Sequence, residues 1–185
     1  SEELPKSLDA VIGQIEVAKR KIATALETGD VVLRREPVIA LATGDAAIHL
    51  VHGRLIIDGA PILASRLLIM GDYPPLALRH DLVMMRETVQ WIATARDQDA
   101  PIDPVIIDIN AASLAEAKFV SGVAEIIEGA GVARESIGFR VLSMDLAKQG
   151  LPSYRNLVAM RSRGHPVWLT RFADAVSDST LNGAF

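Results

Sequence analysis

Val105-Ile106-Ile107-Asp108-Ile109-Asn110 is the stretch on which the fold turns. Val105–Ile109 is a continuous apolar run with a single acid, Asp108, near its end. A strand apolar at consecutive positions is one buried on both faces, as strands of parallel sheets are. Outward from it, Ser113 and Glu116 have the spacing of a capping box, which would make Ser113 a helix cap. Phe119, Val123, Ile126 and Ile127 then recur with helical period until Gly129-Ala130-Gly131 ends the segment. Ile137–Leu142 reads as the next strand, Tyr154–Arg163 as the next helix with Gly164 at its C-terminal stop, and Val167–Leu169 as a further strand. Strands alternating with helices over short connections pair in parallel through helical crossovers, so the class is α/β.

Toward the N-terminus, Leu8, Val11, Ile12, Ile15, Ala18, Ile22 and Leu26 form one apolar stripe, with Lys19-Arg20-Lys21 off it: an amphipathic helix. Gly29-Asp30 stops it. Val31–Leu33 with Val38–Leu41 reads as a first strand region, Thr43-Gly44-Asp45 as a turn and Ala46–Val51 as a second extended run. Asp58-Gly59-Ala60-Pro61 reads as a loop leading to a helical segment near Leu63–Met70. Pro74-Pro75 permits a fresh helix start, and Leu78, Leu82, Met85, Val89 and Ile92 give that helix its apolar face. Asp97–Pro104 is a polar linker. The chain divides into an N-terminal helix, residues 1–29, and an α/β domain, residues 30–185.

Composition narrows the function classes. The chain has 185 residues, a length that suits one core rather than two. It carries 23 Asp+Glu against 19 Lys+Arg, a balance that argues against a general DNA or RNA binder but leaves room for a local basic pocket. With no cysteine there is no disulfide framework and no thiolate metal site, which suits the cytoplasm. Apolar runs such as Leu67–Met70 fall far short of the ~18–20 residues needed to span a bilayer, and no signal peptide is evident. The first residue is Ser1 rather than Met, which reads as a fragment. A (β/α)₈ barrel typically needs ~250 residues, so 185 is short for one.

There is no GxGxxG, Walker A, HExxH or GxSxG pattern. His49 and His52 lie three apart in an extended run, which sends them to opposite faces rather than to one metal. Lys19-Arg20-Lys21 and Arg34-Arg35 read as solvated charge, and Met84-Met85 as core filler. Asp108 and Asn110 stand out, because they emerge at the C-terminal end of an apolar strand, where barrel enzymes build their sites.

In their order these segments resemble the EAL domain, the cyclic di-GMP phosphodiesterase fold of bacterial signalling, over about Ile22 to Leu181. Glu36-Pro37-Val38-Ile39-Ala40-Leu41-Ala42-Thr43-Gly44 is similar to that family's Gln-Pro-Ile-Val-Asp-Leu-x-Thr-Gly. Leu50-Val51-His52-Gly53-Arg54 falls on Glu-Ala-Leu-x-Arg, and Asp81-Leu82-Val83-Met84 on Asp-x-x-Val-Leu. Ile107-Asp108-Ile109-Asn110 stands for Val-Asn-Leu-Ser, Phe139–Ser143 for Leu-Glu-Ile-Thr-Glu, and Leu169–Ala173 for Leu-Asp-Asp-Phe-Gly. Ser177 and Leu181 follow in phase.

The resemblance implies a TIM-barrel-like EAL fold, shortened to about five or six strands with helical crossovers and preceded by an amphipathic helix. It also implies a dismantled metal site. The family's metal-holding Glu, Asn, Glu and Asp-Asp become Leu50, Asp108, Arg140 and Thr170-Arg171 here. Hard divalent cations need oxygen ligands, and permanent guanidinium cations repel them. The expectation is no metal or other cofactor, no hydrolysis, and a signalling or protein-interaction role with a regulatory protein partner. Arg54 matches the family's phosphate-contacting arginine. Together with Glu36, Asp108, Asn110, Arg140 and Arg171 it forms the candidate ligand-binding set, with cyclic di-GMP the alternative ligand. Against that stands internal pairing: Arg140 with Asp108, another arginine with Glu36. A homodimer, the N-terminal segment or the terminal helix would cover the two edges of an incomplete barrel.

Overall fold

The computed structural model describes residues 8–63, 72–98 and 104–170. The strand that decided the class is β4, Val105–Asp108, and its first three residues are buried. It lies inside a six-stranded sheet. The N-terminal helix α1 spans Leu8–Thr28, followed by β1 (Val31–Ile39), β2 (Ala46–Ile57) and β3 (Ala60–Leu63). Helix α2 (Pro74–Asp97) precedes β4, and α3 (Ala111–Ala115) and α4 (Phe119–Ala130) follow it. The chain then continues through β5 (Ile137–Leu142), α5 (Ser143–Gln149), α6 (Leu151–Ser162) and β6 (Val167–Thr170).

Strand order is β1-β2-β4-β5-β6, with β3 hydrogen-bonded to β2. β1 and β3 run antiparallel to β2, whereas the β2–β4, β4–β5 and β5–β6 pairs are parallel. One edge of β2 carries β1. The other is shared, β4 pairing with His49–Val51 and β3 with Arg54–Ile57. The helices cover one face of the sheet. Val51, Val105, Ile107, Ile137, Phe139 and Val141 meet Met85, Val89, Phe119, Val123 and Ile127 in the main core, each fully buried large side chain contributing about 1.5–3 kcal/mol. Helix α1 docks through its C-terminal half, where Ile22, Ala25 and Leu26 join Leu55, Ala77, Met84 and Ala112 in a second cluster.

Several local readings are corrected. β1 is one strand through Arg34–Pro37, because both sides of that charged stretch pair continuously with β2. The expected loop at Asp58–Pro61 is a tight hairpin. Asp58 (φ 52°) and Gly59 (φ 77°) turn the chain, and Ala60-Pro61 already belong to β3. Two successive positive φ values match the turn geometry that Asp-Gly favours between strands. The capping box does not form. Asn110 holds the N-cap position, Ser113 is buried inside the one-turn helix α3, and Glu116 ends that helix. Helix α5 is an element the periodicity did not reveal, and α6 starts at Leu151, with Pro152 in its first turn. The helical segment expected near Leu63–Met70 lies outside the described residues beyond Leu63, as does most of the Asp97–Pro104 linker.

Candidate functional site

The register fixes which side chains share a face. A Cβ built on Gly53 would run into Met84 of α2, so alternate residues of β2 from Gly53 face the helices and Leu50, His52 and Arg54 face away. Glu36 lies opposite Leu50, Leu50 beside Ile106, Asp108 beside Arg140, and Arg140 beside Trp168. The face that carries no helix among the described residues therefore gathers Arg34, Glu36, Leu50, His52, Arg54, Asp108, Arg140, Trp168 and Thr170.

Four of these form a continuous polar chain. Asp108 Oδ1 accepts from Arg140 Nε, and Asp108 Oδ2 accepts from an Arg140 terminal nitrogen at 2.8 Å. His52 Nδ1 donates to the same Oδ2 at 2.7 Å, and its Nε2 lies 3.4 Å from Glu36 Oε2. A carboxylate only accepts, so Nδ1 carries the proton. The bond to Asp108 raises the Arg140 pKa above its ordinary value against the opposing effect of burial. The Arg140–Asp108 pairing expected from sequence is thus present. The partner of Glu36 is His52 rather than an arginine: strand pairing sets His52 one register step from Glu36 on the same face.

Both oxygens of Asp108 are engaged, and Leu50 offers no donor atom. A divalent cation would need several free oxygens converging at one point, and this donor set does not fit one. Among the described residues no group of three His, Cys, Asp or Glu side chains could hold a metal ion.

The remaining candidates separate. Arg54 shares the face, and its Nε is buried with no hydrogen-bond partner among the described residues. Asn110 is drawn elsewhere. Its backbone N–H and its Nδ2 donate to the two oxygens of Asp81, both at 2.7 Å, tying the end of β4 to α2. Arg171 lies outside the described residues. The sequence reading did not single out the buried pair His80–Asp81, joined at 2.7 Å with Asp81 2% exposed. The available signal was two adjacent polar residues on the apolar side of a helix. Among the described residues no helix is long and apolar enough to cross a membrane.

No family model matches the chain, and no curated protein matches it. Solved structures do. The Xanthomonas citri FimX EAL domain in complex with c-di-GMP aligns with a TM-score of 0.76 at 16% identity, over 96% of this chain and 69% of that one. The Pseudomonas aeruginosa FimX EAL domain bound to c-di-GMP aligns with a TM-score of 0.69 at 18% identity, over 84% and 61%. The Vibrio cholerae LapD S helix-GGDEF-EAL protein bound to c-di-GMP gives 0.76 at 13% identity, over 92% and 41%. The chain accordingly spans 41–69% of the length of these structures. Its sheet order, its crossover helices and these alignments agree: the described residues have the EAL fold over part of the length of those structures.

Proposed function

We propose that this chain is a catalytically inactive EAL-like domain, working in the bacterial cytoplasm as a signalling or protein-interaction module. The observation that carries the reading is the engagement of Asp108 by Arg140 and His52. Asp108, the one carboxylate at the aligned metal-ligand positions, spends both oxygens on Arg140 and His52. A hydrolase of phosphodiesters by the metal route must assemble and orient an attacking water on its cations, and this face presents an arginine there instead. A scaffold kept intact around such a face is suited to binding rather than turnover.

A second reading, a metal-independent cyclic di-GMP receptor, draws support from Arg54, whose unpartnered Nε lies on the same face. Guanidiniums hold phosphate through paired hydrogen bonds without a metal. Titration calorimetry with cyclic di-GMP, with and without Mg²⁺, alongside chromatographic detection of the linear product, separates the outcomes. The module reading expects neither heat nor product. Saturable heat abolished by Arg54→Ala selects the receptor, and Mg²⁺-dependent product formation overturns inactivity.

A further inference from the structure

Two backbone bonds set the phase of β4. His49 N–H donates to the Pro104 carbonyl at 2.9 Å, and Ile109 N–H donates to the Arg140 carbonyl at 3.0 Å. Along a strand the backbone groups of successive residues turn to opposite neighbours, so even-numbered residues here face β2 and odd-numbered ones face β5. Side chains alternate as well. Ile107 and Ile109 enter the main core, while Asp108 points to the other face with Arg140. Regular continuation would send Asn110 the way of Asp108, its side-chain amide toward the polar chain and its N–H toward β2. Neither happens. Both groups turn to α2, where Asn110 Nδ2 donates to Asp81 Oδ1 and the backbone N–H to Oδ2, each at 2.7 Å.

The surroundings of Asp81 suit that grip. It is 2% exposed, and His80 Nδ1 supplies a further donor to Oδ1 at 2.7 Å. A buried carboxylate is costly unless paired. Each of its oxygens holds a donor of Asn110, so backbone and side chain of that residue are fixed together. The tether acts two residues beyond Asp108, the last residue of β4, and between the two Ile109 N–H bonds β5. Strand ends fray where few bonds hold them, and here the end of β4 is held by α2. We propose that Asp81 is the positioning residue of this face: by gripping Asn110 it withdraws an amide from the face and holds Asp108 in register with Arg140 and His52.

The inference deepens the inactive-module reading and rests on it for what the Asp108 pairing means. Asp81 forms no hydrogen bond with the polar chain among the described residues and acts through Asn110.

The test follows the Arg140 side chain by NMR in the intact ¹⁵N-labelled chain. Its Nε–H, bonded to Asp108, exchanges slowly with water while the pair holds. Asp81→Asn keeps the shape but replaces one acceptor oxygen with an NH₂ donor, which then faces a donor of Asn110. Exchange of the Arg140 Nε–H should quicken about tenfold. Adding Asn110→Asp swaps donor and acceptor between the two positions, so the bonds re-form and protection should return. Thr88→Ala is the control. Thr88 is buried on the same helix and its hydroxyl bonds the Met84 carbonyl, so its loss weakens the fold without releasing the end of β4. Where Asp81→Asn does not fold, Asn110→Ala, which keeps the backbone bond to Asp81, carries the test with an increase of about threefold. Unchanged exchange in whichever variant folds, or equal acceleration by Thr88→Ala, overturns the proposal, as does a double variant that stays as fast as the single one. Hydrolysis of cyclic di-GMP by the unaltered chain would sink the inactive-module reading without touching the Arg140 exchange results, so the two failures stay distinguishable.

Discussion

Asp108 and Asn110 stand two positions apart at the end of one strand, and the structure sends them to different work. Asp108 closes the polar chain beside Arg140, whereas Asn110 fastens β4 to α2 through Asp81. Sequence placed both at the strand end and offered Arg140 as a partner of Asp108, because the resemblance sets the two at neighbouring strand ends; the register that brings them side by side comes from the structure. It could not foresee that Asp81, 29 residues earlier, would claim Asn110. His165 shows the same limit. It is 4% exposed, donates from Nδ1 to the Ile137 carbonyl at 2.9 Å, and stands edge-on to Phe139 at 5.2 Å. Burial lowers its pKa below the ordinary 6.5, so near that pH the unfolded chain binds the proton more readily than the folded one. The resulting stability is fully present above about pH 6.5 and is lost as pH falls below it through the lowered value of the folded state. Urea midpoints measured from pH 8 to pH 5 should decline below that point, and His165→Gln should flatten the decline; an unchanged slope in the variant would assign it to other groups.

At the scale of elements, the legible ones were those with sustained periodicity. Helix α4 ends at Gly131, in the left-handed conformation, where the glycine cluster put it, and Phe119, Val123 and Ile127 form its buried side. Elements set by neighbours were not legible. The hairpin β2–β3 depends on pairing, and the Ser113–Glu116 box lost to the break that separates α3 from α4. Close packing between strands also shows at Gly138. A Cβ there would come within 2.4 Å of the Ile106 side chain and 2.8 Å of the Pro166 carbonyl oxygen. At Gly53 the obstacle is the flexible Met84 side chain alone. Gly138→Ala should therefore cost about 1–3 kcal/mol, as overpacking does, and Gly53→Ala less. Denaturant midpoints of the two variants rank them, and a Gly53 variant that is the worse of the two would contradict this account.

Across the whole molecule, stability should fall from the sheet's centre to its open edge. β4 pairs on both sides and is buried, while β1 exposes Arg34, Arg35, Glu36 and Pro37 along an edge that is unpaired among the described residues. Charge and proline on an edge strand discourage indiscriminate pairing. Native-state hydrogen exchange should find the slowest amides in β4 and β5 and much faster ones at Leu33 and Arg35; uniform protection across β1 would mean that another strand lies on it. By itself the sequence determined the α/β class, the parallel crossovers, the resemblance to EAL domains and the presence of Leu50 and Arg140 where that resemblance expects metal ligands, since each depends on periodicity or residue identity. Only the tertiary structure decided that Asp108, His52 and Glu36 join Arg140 in one chain, that Asn110 leaves it, and that Arg35 lies over Trp91. Those facts depend on strand register and helix placement, which bring together residues up to 56 positions apart.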